Sequence, residues 1–391
     1  MVAKVSSPLS PAPHLDTGNS EQKDWTTKSF PSSLRVGITA LALAASGDIH
    51  AGFTDPAVPD QVYKANGLRC SGPYRPREDG KPGFDGGLVS VTTVQVDANG
   101  KQIRRSIFSG IIINDYYVLT AAHAALLAVQ NPTTTTTYID WSPNCLQRSS
   151  TAIDAAEVVM HPGWTKENAY QVPDLAILKL KKPIVEGGML VQPTFASEPS
   201  ERNSVVTLGG YGVAGLSQET RFDDGHPRAG NGLVETDPTY SFGYSSESYF
   251  TIVSNPVSDE AYPVIVGAGG DSGGIVTVKE TGAIVGMLVA STRTMPGACV
   301  ALSLSGQLPQ QFIKSVVKPV IPDDFKIERN QSSVTLSWPA GYSGLVLEQS
   351  NNLASWTAVP LPRIVENDRV KVTSPSNGDS PRAFFRLKYQ P

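Results

Sequence analysis

Three short segments hold the residues best suited to chemistry. Ser272 stands in Gly269-Gly270-Asp271-Ser272-Gly273-Gly274. Small neighbours let a carbonyl approach the hydroxyl and leave backbone N–H groups free to bind an oxyanion. His123 follows Leu119-Thr120-Ala121-Ala122, and a histidine in a small-residue turn can present its ring to a cleft. Asp174 heads the apolar run Leu175-Ala176-Ile177-Leu178-Lys179-Leu180. A carboxylate entering a buried strand is costly unless it is paired, and a histidine N–H would satisfy it. Together the three residue types point to nucleophilic catalysis: a serine, a general base and an acid that orients the base. A lone serine in a glycine turn is more often structural, so the argument rests on its partners.

Chain order narrows the chemistry. Gly270-Asp271-Ser272-Gly273-Gly274 also fits the G-x-S-x-G elbow, whose partners follow as acid and then histidine. No histidine follows Ser272, which leaves the order histidine, acid, serine. Of the other histidines, His14 and His50 lie near the amino terminus, His161 reads as structural and His226 as a solvated loop residue. With no H-E-x-x-H and no close Cys/His cluster, neither a metal nor a cofactor is expected.

The elements that must position these residues are short strands. Leu88–Val96 alternates, Asp97-Ala98-Asn99-Gly100 carries a hairpin signal, and Ile103–Ile113 resumes the pattern. Further apolar runs occupy Ala156–Met160, Leu175–Leu180, Val205–Leu208, Tyr249–Val253, Ile275–Val278 and Ile284–Ala290. Such spacing indicates an all-β barrel or sandwich. Thr133–Thr137 reads as an exposed loop, and Gln310–Val317 as a short helix that closes the domain.

Composition agrees. A chain of 391 residues has room for two or three domains. Charged residues make up only 17% while Gly and Pro number 35 and 30, which disfavours long helices and favours many turns. A net charge of −4 offers no basic face for nucleic acid. The run Val36–Ala45 is about ten residues, the length of a signal-peptide core and too short to span a bilayer. Arg35 and Lys28 flank it, Ala42-Leu43-Ala44 is a cleavage-like site, and Ala51 is a second choice. We therefore expect an exported protein, secreted or periplasmic, with no transmembrane segment in the mature chain. The expected divisions are a leader over 1–51, a Gly/Pro-rich pro- or linker segment over 52–84, a main domain over 85–318, a linker over 319–323 and a small β-sandwich over 324–391. In that last module Trp338 and Trp356 read as core residues rather than a ligand platform, and its target would be a cell surface or the substrate. Cys70, Cys145 and Cys299 allow at most one bridge, Cys70–Cys145 being one possibility.

The three chemical segments resemble the signature segments of trypsin-like (chymotrypsin-fold) serine peptidases, in family order and at family-like spacing. Val159-Met160-His161-Pro162-Gly163-Trp164, Leu208-Gly209-Gly210-Tyr211-Gly212 and Val285-Gly286-Met287-Leu288-Val289 are similar too. The resemblance covers roughly residues 85–318 and implies two six-stranded β-barrels with the triad between them. It implies Ser272 as nucleophile, His123 as general base, Asp174 as orienting acid, and the Gly270 and Ser272 N–H groups as the oxyanion hole. Protein or peptide substrates follow, with Val266, Gly267 and Ser291 lining the substrate pocket. Val266 at the pocket base implies an apolar or small residue before the scissile bond. Alternatives on the same fold are a non-catalytic binding protein and an esterase.

The chain also departs from the family. Phe108 and Ala124 stand where a bridge commonly flanks the catalytic histidine, and Ala268 replaces another frequent cysteine. No Ile-Val-Gly-Gly-like segment offers a new amino terminus to pair with Asp271. That carboxylate must be met internally, or by an unusual cut.

Overall fold

Alternation and β-branching build most of the chain. The computed structural model describes residues 52–54, 58–77, 80, 84–185, 193–215, 223–235, 243–245, 247–254, 264–291, 298–317, 325–330, 333–339, 345–367, 369–375 and 383–389. The leader over 1–51 and the linker over 319–323 lie outside the described residues. In chain order come β1 (Gly52–Thr54), α1 (Asp60–Cys70), β2 (Leu88–Val96), β3 (Gln102–Asn114) and β4 (Tyr117–Thr120). Next are α2 (Ala122–Gln130), β5 (Thr135–Asp140), β6 (Ile153–Met160) and β7 (Ala176–Leu180). Then follow β8 (Val205–Gly210), β9 (Ala214–Gly215), β10 (Arg228–Glu235), β11 (Tyr249–Ser254) and β12 (Ile265–Val266). The domain ends with β13 (Ile275–Val278), β14 (Ile284–Ser291), β15 (Ala298–Ser303) and α3 (Gln307–Val316).

Two closed six-stranded barrels result, the first in the order β2-β3-β4-β7-β6-β5 and the second in the order β8-β10-β11-β15-β14-β13. Every ladder within them is antiparallel. Closure removes free sheet edges. Leu88, Val91, Ile111, Leu119, Ile177 and Leu178 fill the first barrel, fully buried. Their apolar cluster continues without a break into Ile284, Met287, Val300 and Leu302 of the second barrel and Phe312 of α3. Each such side chain contributes about 1.5–3 kcal/mol on burial, so the barrels are joined by core rather than by covalent bridges. All three cysteines are free thiols, and no Cys70–Cys145 bridge forms. Burial pushes each thiol up to about 12, so none is a reactive thiolate at neutral pH.

Two regions differ from expectation. Thr135–Thr137 is not a loop; it opens β5 and pairs with Gln95–Thr93 of β2. β-branched threonine suits a pleated ladder, and the Thr93 and Thr137 hydroxyls meet across it at 3.3 Å. The stretch 52–84, which shows no period in sequence, contains α1. The buried face of α1 is Tyr63, Asn66 and Gly67, too polar to leave a hydrophobic pattern. Gly67 lies so close to β10 that a Cβ would sit 2.2 Å from the Pro227 carbonyl oxygen. The Arg228 guanidinium, its side chain 5% exposed, binds both Asp60 of α1 and Asp224. Lys64 completes the cluster at 3.0 Å from Asp60 and 2.6 Å from Asp224. β1 also joins the second barrel's surroundings, between β9 and β12.

Beyond α3 lie two further sheets. One has four strands in the order Lys326–Arg329, Ser333–Pro339, Arg369–Pro375 and Ile364–Glu366; the other has Thr357–Ala358, Leu345–Ser350 and Phe384–Tyr389. Leu336, Trp338, Leu345, Leu347, Val370, Val372 and Leu387 form one apolar cluster from both sheets. Trp338 is thus a core residue, while Trp356 is half-buried beneath the Arg386 guanidinium. No helix among the described residues is long and apolar enough to cross a membrane.

Candidate active site

β4 leads directly into α2, and His123 is the second residue of that helix rather than part of an open turn. The first N–H groups of a helix lack internal partners, and the Ala121 cap supplies no side-chain bond. Asp174, at the entry to β7 and 3% exposed, fills that role from outside. Its Oδ1 accepts the His123 backbone N–H at 3.0 Å, and its Oδ2 lies 2.6 Å from His123 Nδ1. A carboxylate at a helix N-terminus is also favoured by the helix dipole. One residue therefore orients both the backbone and the ring of the base.

His123 Nε2 stands 2.9 Å from Ser272 Oγ. With Nδ1–H bonded to Asp174, Nε2 is left to accept the serine proton. About a third of the His123 side chain is open to solvent, at 32%, whereas Asp174 is sealed. Burial disfavours the imidazolium, but the charge and hydrogen bond of Asp174 outweigh it and raise the His123 pKa above its ordinary value. Phe108 packs edge-on against the imidazole, with centroids 6.0 Å apart. Together with buried Ala124 it occupies the place of the bridge common in the family, so aromatic packing braces the histidine.

The turn carrying Ser272 is built by glycines. Gly270 has φ +84° and Gly273 φ +88°, a left-handed conformation that favours glycine. A Cβ on Gly273 would fall 2.0 Å from the Ser109 carbonyl oxygen. The Asp271 carbonyl accepts the Gly274 N–H at 2.7 Å, which fixes the peptide unit bearing the Ser272 N–H. Among the described residues no group takes up the Gly270 or Ser272 N–H. Both donors remain for an oxyanion.

Among the described residues, the hydrogen bonds to Asp271 come from the backbone. Its two oxygens accept the Gly212 N–H at 2.8 Å and the Ala268 N–H at 2.9 Å. Gly210 and Gly212 allow this wrapping, since a Cβ on either would approach Asp271 Oδ1 to 2.1 or 2.6 Å. Burial still dominates and lifts the Asp271 pKa to about 6. The glycines of Leu208-Gly209-Gly210-Tyr211-Gly212 thus have a physical reason: they let the chain close around this carboxylate.

Of the residues expected to line a pocket, Val266 and Gly267 lie at and just after β12 and Ser291 ends β14. Val266 in β12 is 1% exposed within the apolar cluster of the second barrel. Gly267 and Ser291 converge on Cys299: a Cβ at Gly267 would contact its sulfur at 3.4 Å, and Ser291 pairs with it in the β14–β15 ladder. His161 lies apart, edge-on against Phe312 with centroids 5.1 Å apart, and His226 bonds the Asp224 carbonyl. Among the described residues no group of His, Cys, Asp or Glu is placed to hold a metal. Two residues escaped the sequence reading, Tyr249 and Ser109. The Tyr249 hydroxyl accepts the Asp174 N–H at 2.8 Å and donates to the Val172 carbonyl at 2.6 Å. Ser109 binds the oxyanion turn through its N–H and its hydroxyl. Neither carries a sequence signal, because each acts through partners distant along the chain.

The family model described as Trypsin matches residues 90–231, which include His123 and Asp174. No curated protein matches the chain. Among solved structures, one described as GrC is 15% identical and covers 58% of this chain and 92% of its own, with a TM-score of 0.42. HL collagenase is also 15% identical, covering 59% of this chain and 94% of its own, with a TM-score of 0.42. The double barrel is that of the chymotrypsin fold, and residues 90–231 are similar to the Trypsin family.

Proposed function

We propose that this chain is an exported serine endopeptidase acting through an acyl-enzyme on Ser272. The observation that carries the reading is the unbroken relay from Asp174 through His123 to Ser272, with two oxyanion donors beside it. Ser272 Oγ attacks the scissile carbonyl carbon as its proton passes to His123 Nε2. The Gly270 and Ser272 N–H groups receive the oxyanion, each such donor being worth roughly 10²–10³ in kcat. Asp174 stabilises the imidazolium, which returns the proton to the leaving amine as the C–N bond breaks. Water then attacks the ester by the same route and frees Ser272.

Val266 supports an apolar or small residue before the scissile bond, since it brings no charge to the pocket base. The composition of residues 1–51 supports export, and the carboxy-terminal sheets suit attachment to a substrate or cell surface. Fluorophosphonate labelling tests the central claim: wild type should be modified and Ser272→Ala should not. Absence of labelling in folded wild type would overturn the enzyme reading. Peptide-library turnover then distinguishes a peptidase from an esterase, and strong preference for Arg or Lys would overturn the pocket assignment. Amino-terminal sequencing of the protein from culture medium or periplasm tests export; an uncleaved leader on cytoplasmic protein would refute it.

A further inference from the structure

We infer that two hydroxyls, Tyr249 and Ser109, act as reciprocal positioning residues, each reaching from one barrel to hold the other barrel's half of the active site. The inference rests on the peptidase reading above and concerns how that site is kept in register.

The triad is split between barrels. His123 and Asp174 belong to the first, and Ser272 and the oxyanion turn to the second. The 2.9 Å contact from His123 Nε2 to Ser272 Oγ therefore depends on the relative placement of two separately closed sheets. Placement errors of about 0.5–1 Å are enough to degrade such a constellation. Apolar packing holds the barrels together but is non-directional. Directional bonds across the seam are needed to set register.

Tyr249 opens β11 of the second barrel and is 5% exposed. Its hydroxyl accepts the N–H of Asp174 itself and donates to the Val172 carbonyl, two residues upstream in the first barrel's acid loop. The ring is braced by Tyr244 at 4.8 Å, and Tyr244 in turn by Tyr170 at 4.9 Å. Ser109 lies on β3 of the first barrel and is fully buried. Its N–H donates to the Ser272 carbonyl at 2.9 Å. Its hydroxyl donates to the Gly270 carbonyl at 3.1 Å and accepts the Tyr211 N–H at 2.8 Å. Thr120, three residues before His123, donates to the Ser109 carbonyl at 2.8 Å. Ser109 thus links the strand leading to the base with the Gly270 and Ser272 carbonyls of the oxyanion turn. The two clamps are not equivalent. Tyr249 holds the acid, so its loss should act on the histidine. Ser109 holds the oxyanion donors, so its loss should act on the transition state.

The experiment uses the full chain, with the active fraction of each protein counted by fluorophosphonate titration. Ser109→Ala should lower kcat about tenfold, the scale of one buried hydrogen bond. It should leave KM within about twofold and weaken a peptide boronate, a transition-state mimic, by about the same tenfold factor. Its pH profile should match wild type. Ser109→Gly, which keeps the backbone bond to Ser272, serves as the second variant and should behave alike. Tyr249→Phe, which keeps the ring, should move the acidic limb of kcat/KM toward lower pH and cut kcat about fivefold. Labelled variants that match wild type in kcat, boronate affinity and pH limb would overturn the inference while leaving the peptidase reading intact. So would variants that lose only thermal stability, because that outcome marks a purely structural role. Wild type that fails to label overturns both.

Discussion

The two halves of the site are held by opposite means. The acid half is held by charge: Asp174 caps α2, bonds the imidazole and raises the pKa of His123. The oxyanion half is held by neutral groups, and among the described residues its buried Asp271 carboxylate accepts two backbone N–H bonds that do not offset its desolvation. The first half gains stability from its ion pair, while the second carries an electrostatic penalty at neutral pH. Disrupting each half should therefore leave a different signature.

The largest effect is expected in the acid half. Asp174→Asn keeps the shape but offers the wrong hydrogen-bond pattern to Nδ1, and kcat should fall about 10⁴-fold, read by single-turnover peptide hydrolysis. In the oxyanion half, Gly273→Ala would place a Cβ 2.0 Å from the Ser109 carbonyl oxygen. The turn must then shift, and a loss of about 10²-fold in kcat is expected with the fold retained. A smaller effect concerns support of the second barrel. Arg228→Ala leaves Asp60 and Asp224 without their shared guanidinium and should cost about 3 kcal/mol in urea unfolding.

The pH dependence separates the halves most clearly. The Asp271 pKa is raised from 3.8 to about 6, so between these values the folded state keeps a proton that the unfolded chain has lost. Stability should fall as pH rises through that window, by about 3 kcal/mol in total. The His123 pKa is raised above 6.5, so its contribution is present below 6.5 and is lost as pH rises through the folded value. The melting temperature should thus decline in two adjacent windows. Asp271→Asn should flatten the lower and His123→Ala the upper. Activity runs the other way, rising as His123 loses its proton. A pH-independent melting temperature between 4 and 6 in wild type would contradict the raised pKa assigned to Asp271.

Much of this was legible from residue order. His123, Asp174 and Ser272 each sit in a local setting that advertises its chemistry: small residues before the base, an apolar strand after the acid, glycines around the nucleophile. Most barrel strands were legible because alternation and β-branching are local signals, as in Leu88–Val96, where expected and observed bounds agree. The less legible elements share one property: their stabilising partners are remote. β10 contains Gly230 and Gly232 and so hides its apolar pattern; a Cβ on Gly232 would meet Ile252 at 2.3 Å. α1 buries Tyr63, Asn66 and Gly67 against the second barrel, and no periodicity foretells that face.

By itself the sequence pointed to serine-based chemistry, to the order histidine, acid, serine and to an all-β barrel or sandwich, because these follow from residue types and short-range pattern; the two-barrel expectation came from the resemblance to trypsin-like peptidases. Tertiary structure alone decided what Asp271 bonds to, that Phe108 braces the base, and that Tyr249 and Ser109 cross the seam. The Tyr249 and Ser109 contacts join residues 75 and 161 positions apart. They exist only after two closed barrels have packed together, and no short window of chain carries the long-range contacts that set that packing.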